Sequence, residues 1–222
     1  MILKTYDDMT VELMQQPKYP AEILALALDL TMKSDPEHVP AKLTHRLGKY
    51  LLDADHTSPL EHIHYTFLIQ GVSRSFLAQI TRHRMGSFTS ASQHYQDYSE
   101  YPCIVDNAGN AIQEVALAHS VNIYTDLVKH GMAKEEARQV LPNAASVNLL
   151  WSVNARGLLT FLKQRLCYRN VKEMQLFAER VLSLVRPTFP EIFNYVSPQC
   201  GDKAGCRQGK MQCKVGPWPR SV

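Results

Sequence analysis

The stretch RHRMGSFTSAS, Arg82 to Ser92, sets two arginines around a histidine and then turns almost wholly to small and hydroxyl side chains. An arginine fork suits phosphate because its planar donors reach two oxygens at once, and Ser or Thr hydroxyls with loop N–H groups complete an anion cradle. The same residues also fit a basic helix end favoured by the helix dipole, followed by a flexible polar loop. Composition does not separate the two readings, so the flanking sequence has to.

Upstream, HYTFLIQGV carries Tyr65, Phe67 and Ile69 on one side of a two-residue period, which predicts a strand, and Ser73 fits the N-cap of a helix through RSFLAQITRHR. Within that helix Gln79, Arg82 and His83 fall three or four apart and share a face near its C-terminal end. Downstream, residues 112–142 read as helix in two pieces, broken at Gly131-Met132 and stopped by Pro142. SVNLLWSV reads as a strand, Asn154 as the cap of ARGLLTFLKQRL, and Asn170 as the cap of VKEMQLFAERVLSLV. Arg156 and Arg165 then stand near opposite ends of one short helix.

Toward the N-terminus, ILKTY reads as a short strand and Ala21 to Met32 as a first helix. AKLTHRLGKYLLDAD spaces Leu43, Leu47, Tyr50 and Leu51 at helical intervals before HTSPLEH breaks the pattern. Short strands among more numerous helices predict an α/β (α+β) fold, a single domain over residues 1–198, with an irregular tail rich in Cys, Gly and Pro at 199–222.

Twenty-four basic against 21 acidic residues give a net charge of +3, too little for bulk electrostatic capture of nucleic acid. A hydrophobic content of 45% supports a real core and excludes a disordered or fibrous chain. With no signal pattern and no apolar run of the roughly 18 residues a bilayer requires, the expectation is a cytoplasmic protein that makes no use of a membrane. Five cysteines without a secretory signal point to reduced thiols.

Arg82, His83, Arg84, seven residues and Ser92 form an RHR-x7-S pattern, with Ser87 and Tyr95 fitting its longer form. DHTSPLEH, ARQVLP from Ala137 and NARGLLTFLKQR from Asn154 stand around it. These four ordered segments resemble the flavin-dependent thymidylate synthases over most of the chain. The resemblance implies a homotetramer with FAD between subunits and shared active sites. It implies conversion of dUMP to dTMP, with methylenetetrahydrofolate as the one-carbon donor and NADPH as reductant. By the same resemblance Gln79, Arg82, Ser92, Arg138 and Arg165 contact dUMP, with Arg165 catalytic through polarisation of the pyrimidine ring. His56, Ser58, Glu61, His83, Arg84, Asn154 and Arg156 lie on the flavin side. A site rich in arginine suits this chemistry, because a guanidinium stabilises the charge that builds on the ring as carbon 5 becomes nucleophilic, while a flavin carries the hydride.

Other chemistries weigh less. Thymidylate synthases that use a cysteine nucleophile would need Cys103 with a neighbouring base, and a small apolar residue at the start of a strand or turn is the simpler reading. His62 and His64 could share one side of a strand as half a metal site, but no third ligand stands nearby, and Cys200, Cys206 and Cys213 lack the C-x2-C spacing of zinc modules. No metal is expected.

The pattern departs from the family at Thr89, Ser90 and above all His94, where the family nearly always has Arg; an ordinary imidazole titrates near pH ~6.5 and lacks the bidentate fork. One alternative is therefore a specialised relative that delivers a hydroxymethyl group to a pyrimidine nucleotide, such as a dUMP hydroxymethylase. A non-enzyme alternative is nucleic-acid binding through Arg82, Arg84, Phe88 and Tyr95, which predicts a colourless protein.

Overall fold

Strand β3 organises the chain, and its residues explain why. In the computed structural model, which describes residues 2–32, 48, 51–107, 110–201, 205–206 and 208–213, the strands before it are β1 (Leu3–Thr5) and β2 (Thr10–Gln15), followed by helix α1 (Pro20–Met32). Strand β3 itself spans His64–Ser73. Tyr65, Phe67 and Ile69 are buried in strict alternation, as the two-residue period requires. The alternation then slips: Val72 and Ser73 are both buried.

Gly71 lies at the slip with φ +70°, in the left-handed region that glycine enters without penalty. Its N–H donates to Asn148 Oδ1 at 3.0 Å. The shift turns Ser73 inward, where its hydroxyl accepts from Phe76 N at 3.0 Å and starts helix α2 (Arg74–Ile80).

After α2 come β4 (Gly86–Ser90), β5 (Cys103–Val105), α3 (Ala111–Lys129), α4 (Lys134–Ala137) and a 3-10 turn at Arg138–Val140. Strand β6 (Ser146–Asn154) leads into α5 (Ala155–Arg165), then α6 (Lys172–Val185) and α7 (Pro190–Phe193). The larger sheet has the order β2-β3-β6-β4, and β1 pairs in parallel with β5, Leu3 opposite Cys103. Arg74 N–H bonds Ala145 O at 3.0 Å and Ala155 N–H bonds Ile63 O at 2.7 Å, which makes β3 and β6 antiparallel. The fold is thus the expected mixture of short strands and helices.

Contacts gather into two compact units. Unit 1 comprises Met1–Glu12, Leu68–Arg84 and Phe88–Trp151; unit 2 comprises Leu13–Phe67, Met85–Ser87 and Ser152–Val222. In unit 1, Leu117, Val121 and Tyr124 of α3 recur at helical spacing and face two small clusters, one with Cys103 and Val105, the other with Tyr98, Ala137 and Ala145. In unit 2 the core is aromatic: Phe161 meets Phe177 edge-on at 5.7 Å and Tyr65 meets Phe193 at 5.8 Å. The Thr188 hydroxyl donates to Val185 O at 2.8 Å, so Tyr65 OH is the donor in its 3.1 Å bond to Thr188. Burial pushes the Tyr65 phenol up to about 12.

Four sequence expectations change. Helix α2 ends at Ile80, because Thr81 turns its hydroxyl back onto Leu77 O at 2.8 Å and the next N–H groups, of Arg82 and His83, bond three residues back. Arg82 and His83 therefore leave the helix and do not share its face with Gln79. The hydroxyl-rich segment is not a flexible loop but strand β4, anchored by Phe88 stacked on Trp151 at 6.1 Å. Asn170 does not cap α6; that cap position is Val171, with no side-chain bond. His62 ends a 3-10 turn (Ser58–His62) and His64 begins β3, so no common strand face unites them.

The expected helix around Leu43, Leu47 and Tyr50 lies outside the described residues, with helical structure at 48 and 51–53. Among the described residues no helix is long and apolar enough to cross a membrane.

The space around Gly71 is open enough for a methyl group, since an ideal Cβ would stand 3.6 Å from Asp8 O. Gly71→Ala is therefore expected to cost about 1–2 kcal/mol from backbone strain alone. Urea denaturation checks this, and an unchanged midpoint contradicts it.

Candidate functional site

Each unit holds its own group of candidate side chains, and each contains a capped strand-to-helix transition. In unit 2, Asn154 sits at the end of β6 in extended backbone, and its Oδ1 accepts from Gly157 N at 2.8 Å to open α5. Gly157 has to be small: an ideal Cβ there would come within 3.0 Å of Val153 and 3.2 Å of Met85, the residue that follows RHR. The 3-10 turn Ser58–His62 packs on the same helix, and Glu61 Oε1 accepts from an Arg156 terminal nitrogen at 2.5 Å. Four of the expected flavin-side residues, Ser58, Glu61, Asn154 and Arg156, are thus brought together. His56 lies two residues before Ser58, exposed, its N–H on Leu51 O at 2.9 Å.

Arg165 stands nine residues beyond Arg156, about 13 Å along the helix axis. It is half-buried, and burial lowers its pKa from the usual value. A terminal nitrogen donates to Asn170 Oδ1 at 3.2 Å. The Asn170 amide nitrogen lies 2.8 Å from Gln164 O, 3.3 Å from Arg165 O and 3.2 Å from Cys167 O. Asn170 therefore closes the C-terminal end of α5, whose last carbonyls otherwise lack partners, and steadies the guanidinium with a neutral group. The sequence reading missed this role: an Asn between two helices can serve the one behind as well as the one ahead.

In unit 1, Gln79 is half-buried in the last turn of α2, and its carbonyl accepts from Arg82 N–H at 3.4 Å. Arg82 and Arg84 are exposed, with His83 half-buried between them. Ser92 follows β4: its Oγ accepts from His94 N–H at 3.2 Å, and its carbonyl accepts from Gln96 N–H at 3.1 Å. Arg138, exposed at the end of α4, donates from Nε to Glu135 O at 3.1 Å. His94 Nδ1 lies 2.8 Å from Glu135 Oε2, so two segments far apart in sequence, one with Ser92 and one with Arg138, are joined. Glu135 was invisible to sequence reading, since nothing local pairs it with His94.

Cys103 is buried in β5, and burial raises its thiol pKa. That environment suits a packed side chain and opposes thiolate attack. Phe88, half-buried, is stacked on Trp151 within unit 1. Among the described residues no group of three or more His, Cys, Asp or Glu could hold a metal ion.

The family model described as thymidylate synthase complementing protein matches residues 12–191. The flavin-dependent thymidylate synthase of Clostridium tetani is 28% identical, with 91% of this chain and 92% of that protein covered. The enzyme of the same name from Nitratidesulfovibrio vulgaris is 34% identical over 72% of this chain and 71% of its own length. Among solved structures, thymidylate synthase X from Helicobacter pylori, with FAD and dUMP, has a TM-score of 0.69 at 25% identity and covers 83% of this chain and 97% of its own. The UMP/dUMP methylase PolB from Streptomyces cacaoi, bound with 5-Br dUMP, shares the fold with a TM-score of 0.72 at 24% identity over 87% and 95% of the two chains.

Because burial suppresses its thiolate, Cys103 is expected to be the last of the five cysteines alkylated by iodoacetamide in the native protein. Mass spectrometry of timed samples measures the order, and early modification of Cys103 contradicts its place in the core.

Proposed function

This chain belongs to the thymidylate synthase complementing protein family, and we propose that it works as a flavin-dependent thymidylate synthase that converts dUMP to dTMP. Methylenetetrahydrofolate is the one-carbon donor and NADPH the reductant, and the enzyme acts in the cytoplasm as a homotetramer with shared sites. Support for the reading comes from the names of its relatives and from the sequence segments shared with that family.

The observation that carries the residue assignment is the place of Arg165 at the C-terminal end of α5, half-buried and with a terminal nitrogen held on Asn170 Oδ1 at 3.2 Å. Arginine stays protonated at neutral pH even with its pKa lowered. Partial desolvation also strengthens its field on a nearby ring. Arg165 thus draws negative charge toward the pyrimidine oxygens and makes carbon 5 nucleophilic. Gln79, Arg82, Ser92 and Arg138 bind and orient the nucleotide. Cys103, buried with a raised pKa, takes no part as a nucleophile.

FAD fits the donors present. Arg156 gives one N–H to Glu61, its side chain stays 40% exposed, and a guanidinium has further donors for a diphosphate. His56, Ser58, Glu61, His83, Arg84, Asn154 and Arg156 would hold the cofactor. When bound, FAD supplies the hydride chemistry that no side chain provides.

The hydroxymethyl alternative is not favoured, since the relatives named above are thymidylate synthases. Purified protein is expected to be yellow, with an oxidised-flavin spectrum. Arg165→Ala should keep that spectrum while losing roughly 10²–10³-fold in dTMP formation, the loss typical when a group that stabilises transition-state charge is removed. Undiminished turnover refutes the role of Arg165, and a colourless protein with salt-sensitive nucleic-acid binding refutes the enzyme reading.

A further inference from the structure

We infer that His94 and Glu135 form a latch that positions Ser92 and Arg138 for the nucleotide, so that His94 acts as a positioning residue. The inference rests on the proposed reading of Ser92 and Arg138 as dUMP contacts.

The latch is built from four bonds within unit 1. The His94 N–H reaches back to Ser92 Oγ at 3.2 Å, fixing the hydroxyl relative to the imidazole. The imidazole Nδ1 meets Glu135 Oε2 at 2.8 Å. The carbonyl of the same Glu135 receives Arg138 Nε at 3.1 Å. One turn of chain later, Lys134 Nζ lies 3.6 Å from Asp97 Oδ2, a second tie between the same two segments. Tyr95 lies edge-on to the His94 ring at 4.4 Å and restricts where that ring can turn.

The carboxylate occupies the Nδ1 side of His94. A phosphate approaching Nδ1 would meet Glu135 already there, so the ring's Nδ1 serves the link between the two segments. An arginine at this position would offer several donors and could serve a carboxylate and a phosphate together. An imidazole with one nitrogen committed cannot form that fork. His94, where the family has Arg, thus ties the Ser92 segment to Glu135 through a single ring nitrogen.

Both partners are partly exposed, 44% and 49% by side chain, so the pair has the modest strength of a surface ion pair. Loss of the latch is expected to weaken dUMP binding about two- to fivefold. The test uses the FAD-loaded protein as wild type, His94→Gln, His94→Arg, Glu135→Gln and the double Gln variant, with dUMP titrated calorimetrically and KM and kcat measured in parallel. Each single Gln variant should lose about two- to fivefold in affinity, with KM moving more than kcat. The double variant should be no worse than either single one, and His94→Arg should restore binding because it can keep the pair. Flavin content and Tm should not change.

If Glu135→Gln binds dUMP as well as or better than wild type, Glu135 restrains nothing, His94 acts directly, and the latch is overturned. Simple addition of the two single effects also overturns it. Wild type that does not bind dUMP at all defeats the functional reading instead. Hydrogen exchange without dUMP then still reports on the latch: the His94 amide should exchange faster in Glu135→Gln, and an unchanged rate counts against it.

Discussion

Two side chains that start helices set where the candidate arginines stand along the chain. Ser73 and Asn154 end strands β3 and β6 with nearly the same backbone, φ −79° with ψ 160° and φ −79° with ψ 162°. Each turns an oxygen onto an N–H three residues ahead, the geometry that satisfies an otherwise unpaired helical donor. From Ser73 the chain runs through Gln79 to Arg82 and Arg84; from Asn154 it runs through Arg156 to Arg165. A cap fixes where a helix begins; α5 then spaces Arg156 and Arg165 by its own pitch, while Arg82 and Arg84 follow the end of α2. Gly71 matters for the same reason, because its positive φ brings Ser73 to the inner side of its strand.

Electrostatics then give these cations different work. Glu61 answers Arg156, and the carbonyl and carboxylate of Glu135 hold Arg138 and His94. Arg165 donates to the Asn170 amide oxygen, in a half-buried place that weakens solvent screening.

Much of this was legible in the sequence because it is local. The alternation of Tyr65, Phe67 and Ile69, the proline that opens α1, and the caps Ser73 and Asn154 each depend on residues within a turn or two. The end of α2 was misplaced because Thr81 competes for the backbone with its own hydroxyl, an effect that periodicity does not register. Strand β4 reads as a loop by composition, and only the distant Trp151 gives Phe88 a reason to be in a strand. Asn170 was assigned to the wrong helix, since its choice depends on whose carbonyls lie within reach. The pairing of His94 with Glu135 crosses forty-one positions, and no spacing rule announces it.

The central claim is that these arginines serve a flavin-dependent methylation of dUMP. Mass spectrometry of the nucleotide formed from dUMP, methylenetetrahydrofolate and NADPH by the purified FAD-loaded protein tests it most directly. The account requires dTMP, with the new methyl carbon taken from labelled methylenetetrahydrofolate and no product without a reductant. A hydroxymethylated nucleotide, or unchanged dUMP in a protein that retains its flavin, would contradict it.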